Sequence, residues 1–137
     1  MLIGGLQKTS LLDFPGKVST VVFTQECNFR CPYCHNPELI LSRREPLVFT
    51  EVLAFLAQRK SVLEGVVVSG GEPTLHPEFR KVVDFLTAEG LDLSMETNAT
   101  LIDRDLALHL RKHTRLTRVA VSLDSPDPEQ HDRFRGV

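Results

Sequence analysis

Every cysteine of the chain falls in one short stretch, Thr24-Gln25-Glu26-Cys27-Asn28-Phe29-Arg30-Cys31-Pro32-Tyr33-Cys34-His35-Asn36-Pro37. Three thiols at a C-x-x-x-C-x-x-C spacing, in one tight loop directly after the apolar run Val18 to Phe23, are placed to converge on a single centre. Metal or cluster binding is the natural chemistry of that spacing. Iron–sulfur clusters are usually held by four thiolates, so a cubane on three cysteines, with no fourth in the chain, leaves one iron without a protein sulfur. An open coordination position is where a metal centre does chemistry, as catalytic zinc sites illustrate.

The same loop admits other readings. Cys31-Pro32-Tyr33-Cys34 is a C-x-x-C dithiol, in which a lowered thiol pKa drives disulfide exchange; the third cysteine has no part in that mechanism. Cys31-x-x-Cys34-His35 matches the c-type haem attachment pattern, a reaction of extracytoplasmic compartments. The opening Met1-Leu2-Ile3-Gly4-Gly5 shows no basic n-region or apolar core of a signal peptide. A zinc site of Cys27, Cys31, Cys34 and His35 is chemically possible, although adjacent Cys34 and His35 would point in diverging directions. Three buried, unliganded cysteines would simply act as small hydrophobes.

A second candidate stretch is Gly70-Gly71-Glu72-Pro73, which ends the β-branched run Val66-Val67-Val68. The glycines let backbone approach a ligand with no Cβ in the way, and Pro73 fixes the turn. On this reading Gly71→Val would weaken ligand binding by crowding and leave the thiol loop intact. A plain βα loop is the alternative for the same residues.

The elements that must position these loops alternate along the chain. Residues 1 to 17 read as a short extended segment, a polar break and a turn at Pro15-Gly16. Ser42 to Pro46 is a polar connector. Thr50 can cap a helix running to about Arg59, with Val52, Leu53, Phe55 and Leu56 on one stripe. The run Val66 to Val68 suits a strand of a parallel sheet buried on both faces by helices. Pro77 suits the first turn of a helix carrying Phe79, Val82, Val83 and Leu86, which Gly90 stops. Leu91 to Glu96 alternates as a strand, with Met95 in the core. Asp103 caps a third helix with Leu106, Ala107 and Leu110 inward, and Leu116 to Leu123 returns as a strand. The pattern is β(αβ)3 with right-handed crossovers. In such sheets chemistry collects at the carboxyl ends of the strands, where both candidate loops lie.

At 137 residues, 42% hydrophobic and 25% charged, the chain reads as one globular domain able to bury about two-thirds of its unfolded surface. A net charge of −2 argues against a nucleic-acid or membrane-surface role. No apolar run approaches the roughly 18 residues of a membrane span. The basic run Arg104, Arg111, Lys112, His113, Arg115 and Arg118 has no interleaved aromatics to stack bases and reads as a solvated face. An odd number of cysteines points to a reducing compartment, hence a cytoplasmic location.

The thiol loop, with aromatic Tyr33 before its third cysteine, resembles the signature of the radical SAM enzymes. Val66 to Pro73 is similar to that family's strand ending in Gly-Gly-Glu-Pro, and Glu96-Thr97-Asn98 and Val119 to Asp124 resemble the ends of its later strands. The resemblance implies an α/β fold, a partial (βα) barrel whose parallel sheet has about four strands, C-terminally truncated relative to the family. It divides 1–137 into an extension (1–17), a βα core (18–124) and the start of a further unit (125–137). It implies a [4Fe-4S] cluster on Cys27, Cys31 and Cys34. The segment Gly70, Gly71, Glu72 and Pro73 would meet the amino group of S-adenosylmethionine. Thr97, Asn98 and Ser122 would face the ribose or carboxylate, with Tyr33 beside the same cofactor. For Thr97, Asn98 and Ser122, capping of the strand ends is the alternative.

The implied reaction is one-electron reductive cleavage of the sulfonium to methionine and a 5′-deoxyadenosyl radical, with flavodoxin or ferredoxin as electron donor. Gly5 to Lys17 and the residues around the thiols are similar to the activating proteins of anaerobic ribonucleoside-triphosphate reductases, which implies a glycyl-radical reductase as partner. Glu96 to Leu101 and Ser122 to Val137 look more like radical SAM enzymes that modify peptides or build cofactors. A non-catalytic iron–sulfur or zinc module is the reading of another class. The last strand is left as an apolar edge, so the 137-residue chain is expected either to associate through this edge or to be a fragment of a longer enzyme.

Overall fold

A computed structural model describes residues 1–41 and 43–137; Ser42 of the polar connector lies outside the described residues. One five-stranded sheet runs in the order β1 (Ile3–Ser10), β2 (Ser19–Thr24), β3 (Gly65–Gly70), β4 (Asp92–Thr97), β5 (Leu116–Val121). Strands β2 to β5 are parallel, as the β(αβ)3 pattern requires, and the sheet is open rather than closed into a barrel. The extension contributes a strand of its own: β1 pairs antiparallel with β2, Leu6 facing Val22 and Gln7 facing Val21. A hairpin costs little loop entropy, so the first 17 residues fold back onto the nearest strand.

Helices α2 (Phe49–Arg59), α3 (Phe79–Ala88) and α4 (Arg104–His113) bury Val52, Leu56, Val82, Val83, Leu86, Leu106 and Leu110 in one core with Val22, Val66, Val68, Leu93 and Met95 of the sheet. Successive right-handed crossovers without a reversal put these three helices on the same side. The expectation that helices cover both faces therefore fails. On the other face Val21 and Val67 are covered by Phe14 of the extension, whose ring would meet any Cβ at Gly65 at 2.6 Å.

Three local expectations also shift. Thr50 lies inside the first turn of α2, after Val48 at the cap. Pro77 precedes α3, and a 3-10 turn, Pro73–Leu75, intervenes. Ala107 is exposed. Asp103 caps α4 as expected, its carboxylate accepting from the Leu106 amide at 2.7 Å.

Asp92, at the start of β4, ties the extension to the last strand. Its carboxylate accepts from Lys17 Nζ at 2.7 Å and Arg115 Nη2 at 2.6 Å. The Lys17 hydrogen bond, aided by Arg115 and opposed by partial burial, holds this carboxyl below its usual range. A depressed folded-state pKa contributes stability that is present above the unfolded value of about 3.9 and lost as pH falls below it. Asp92→Asn should therefore lose about 1 kcal/mol at pH 7, discounted for the half-exposed Arg115, and the gap to the parent should close in urea titrations below about pH 4.

At the far edge β5 pairs, among the described residues, only with β4, and Val119 and Val121 are 44% and 56% exposed. Residues 125–137, expected as the start of a further unit, carry α5 (Pro128–Arg135), capped by Asp127 and ended by left-handed Gly136. No helix is long and apolar enough to cross a membrane among the described residues.

Candidate functional site: a thiol loop over the strand ends

The thiol loop leaves β2 at Thr24 and turns through Glu26, whose φ is +66°. A turn closed by the Cys34 amide on the Cys31 carbonyl (3.1 Å) follows, and the chain then enters the one-turn helix α1 (Pro37–Ile40). Neighbouring backbone holds its base. The Glu26 amide donates to Leu39 O at 2.9 Å, the Gly71 amide to Thr24 O at 2.9 Å, and the Glu72 amide to Glu26 O at 2.8 Å. Buried His76 bonds the Gln25 carbonyl at 2.8 Å. All three cysteines are free, partly exposed, and line one cleft of about 230 Å³ with Gly70, Gly71, Glu72, Thr97, Asn98, Ser122 and Tyr33. Pro73 is buried just behind it, at the start of the 3-10 turn.

The structure thus brings the sequence candidates together, but gives several of them other partners. A Cβ on Gly71 would lie 1.9 Å from Glu26 O, and one on Gly70, at φ +103°, 2.6 Å from Thr24 O. What approaches these glycines is the base of the thiol loop itself. The expectation that Gly71→Val spares the loop is overturned by that distance.

Glu72 is 1% exposed and its carboxylate faces protein donors. It accepts from the Thr74 amide (3.0 Å) and hydroxyl, from Thr97 Oγ1 (2.8 Å) and from the Asn98 amide (2.7 Å). Thr97 Oγ1 in turn accepts from the Ala99 amide at 2.9 Å, so Thr97 caps its strand end. A buried carboxylate bonded to this many donors fixes the ends of β3 and β4 relative to each other. Asn98 reaches across the cleft: its amide nitrogen donates to Asn28 Oδ1 at 2.8 Å and lies 4.0 Å from Cys27 Sγ. Ser122 continues the β4–β5 ladder through its amide to Thr97 O at 3.0 Å.

Burial pushes the Cys27 thiol up from its ordinary value, partly offset by the Phe29 amide donating to its sulfur at 3.4 Å. Tyr33 OH donates to Asp124 Oδ2 at 2.5 Å, and that bond pushes its phenol up to about 12.

Sequence reasoning missed several cleft residues. Ser69 Oγ donates to Glu96 Oε2 at 2.6 Å at the β3 and β4 ends. Arg135, which also lines the cleft, lies with its guanidinium 3.8 Å from Cys31 Sγ, and its Nε meets Asp124 Oδ2 at 2.5 Å. Only the contiguity of Ser69 and Glu96 with the recognised motifs could have flagged them. Arg135 carries no local signal.

The donor set suits a cluster better than a lone ion. A tetrahedral zinc would draw its sulfurs to about 3.8 Å of one another, from Zn–S bonds of about 2.3 Å. Among the described residues no three His, Cys, Asp or Glu side chains are drawn together to hold a single metal ion. In a cubane each thiolate ligates its own iron, which asks only that three thiols face a common space, and these do.

Comparison with known proteins agrees. The family description "Radical SAM superfamily" matches residues 21–137. A protein named as a glycyl-radical enzyme activating enzyme of Methanocaldococcus jannaschii is 32% identical over 103 residues, covering 72% of this chain and 41% of its own length. One named as a GTP 3′,8-cyclase of Thermococcus kodakarensis is 36% identical over 119 residues, covering 85% and 38% respectively. Among solved structures, Streptococcus suis SuiB bound to S-adenosylmethionine superposes with a TM-score of 0.69 at 25% identity, over 85% of this chain and 27% of that one. The chain spans about two-fifths of the length of these curated relatives. With the match running from β2 through the thiol loop to the last residue, the chain belongs to the radical SAM superfamily, whose members use a [4Fe-4S] cluster and S-adenosylmethionine.

Proposed function

We propose that Cys27, Cys31 and Cys34, which line the cleft, would hold a [4Fe-4S] cluster, and that the chain is the radical-generating core of a glycyl-radical activating enzyme. Bound together, cluster and S-adenosylmethionine supply reductive cleavage of the sulfonium and a 5′-deoxyadenosyl radical. The protein supplies ligation, orientation and exclusion of competing reactions. The backbone of Gly70 and Gly71 forms the cleft floor where the methionine amino group would lie. Asn98, Ser122 and Tyr33 offer polar groups on its walls, while the side chains of Glu72 and Thr97 hold the floor from behind.

The observation that carries the activase reading is the 32% identity with the Methanocaldococcus protein. The extension that resembles reductase activases supports it, since β1 lies against this loop: the Gln25 amide donates to Leu2 O at 3.0 Å, and Gly4 packs against Gln25 and Leu39. The partner would be a glycyl-radical reductase, and the electron donor a flavodoxin or ferredoxin. The 36% identity with a protein named as a GTP 3′,8-cyclase favours a second reading, a radical SAM enzyme that builds a cofactor or modifies a peptide.

Anaerobic reconstitution tests both. About four irons per chain and 5′-deoxyadenosine release on reduction are expected, with a glycyl-radical EPR doublet on an anaerobic ribonucleotide reductase mixed with the loaded protein. Deoxyadenosine without a doublet would favour the second reading. Zinc uptake with no iron would refute both and leave a non-catalytic module.

A further inference from the structure

The last helix turn reaches back onto the thiol loop over 104 positions of sequence. The Arg30 amide donates to Arg135 O at 3.1 Å, and Gly136 sits at φ +68° with Arg30 O 2.5 Å from where a Cβ would be. That contact fixes the Arg135 backbone. Its side chain is 14% exposed, lies over the Tyr33 ring at 5.7 Å, and is held by Asp124, which also takes the Tyr33 hydroxyl. The guanidinium so placed is the one cationic group hydrogen-bonded to a cysteine sulfur among the described residues. The other side-chain donor near a thiol, Asn98, is neutral.

We propose that Arg135 and Asp124 form a charge pair that sets how readily the cluster site accepts an electron, Arg135 favouring reduction and Asp124 opposing it. The proposal rests on the reading that the three thiolates hold the cluster. One-electron reduction, from an external one-electron donor, adds a negative charge beside Cys31. A cation at the Cys31 sulfur stabilises the more negative state, and net charge with hydrogen bonds to sulfur are levers on cluster potential. Asp124 pairs with the same guanidinium at Nε and cancels part of its field, so the two residues act with opposite sign. Arg135 is in this sense a positioning and tuning residue, not a catalytic one.

The test is a redox titration of the reconstituted protein followed by EPR, which needs no turnover. Arg135→Gln should make the cluster at least tenfold harder to reduce, a downward shift of about 59 mV or more for a one-electron couple. Arg135→Lys should restore most of it, and Asp124→Asn should move the potential the other way. Neither Arg135 nor Asp124 belongs to the hydrophobic core, so these variants leave it intact, and melting curves check that. If Arg135 merely docks α5 on the loop, Arg135→Gln and Asp124→Asn would both lower the melting temperature and leave the potential unchanged, which would overturn the proposal. A parent protein that takes up no iron would overturn the site reading and the proposal with it.

Discussion

Replacing any one of Cys27, Cys31 and Cys34 by alanine should reduce iron from about four per chain to less than one, and bring reductive cleavage of S-adenosylmethionine to background. Two thiolates cannot hold a cubane that already lacks its fourth protein ligand. The fold should survive, because the thiols are partly exposed and face a cleft rather than the core. Removing one leaves no buried cavity of the kind that makes large-to-small changes costly. Iron analysis, visible absorbance and far-ultraviolet circular dichroism on the three variants check this together. Equality among the three is the discriminating feature. Full activity in Cys27→Ala with none in Cys31→Ala would establish a dithiol on Cys31 and Cys34 instead.

The second large effect is expected at a residue with no side chain. Gly71→Ala places a Cβ 1.9 Å from the Glu26 carbonyl oxygen, a backbone atom that cannot rotate away. Either β3 or the base of the thiol loop must shift. The hydrogen bonds from the Gly71 and Glu72 amides to Thr24 and Glu26 are the first to break. We expect a destabilisation of about 2 to 3 kcal/mol, as for overpacked cores, and iron loading below half that of the parent. Gly90→Ala is the control. Unlike Gly71 it is left-handed, at φ +78°, and nothing lies within 4 Å of its added Cβ. It should cost about 1 to 2 kcal/mol of backbone strain and leave iron content unchanged. Equal iron loss in both variants would show that general destabilisation, not displacement of the loop, is responsible.

That contrast marks how far the sequence could be read. The parallel order of β2 to β5 and the clustering of Cys27, Gly70, Asn98 and Ser122 at one end were legible. Hydrophobic period, turn residues and strand-end placement are local properties, and the crossover rule does the rest. A glycine pair announces that something comes close to the backbone, but not what. At Gly71 the answer was Glu26, supplied by strand register. Glu72 gave the same difficulty. Its motif position suggested a ligand contact, and only the donors of Thr97 and Asn98, about 25 residues on, turn the carboxylate inward. The antiparallel β1, Phe14 as the cover of the second face, and Arg135 at Cys31 leave no periodic or compositional trace.

The clamp on the thiol loop bears on how the protein meets oxygen. Backbone bonds from Gly71, Glu72 and Arg30 to the loop, with His76 beneath it, are made by the polypeptide alone. Small metallo-domains that order their ligands only on binding lose fold and metal together, because metal affinity and folding are then one equilibrium. Here the backbone clamp would keep the two largely separate. If the three thiols hold the cluster, the clamped loop would keep them over the strand ends after oxidation strips the iron, and reassembly would meet little of the ordering entropy that a slack loop would impose. Cluster loss would then be a repairable lesion rather than a route to unfolding.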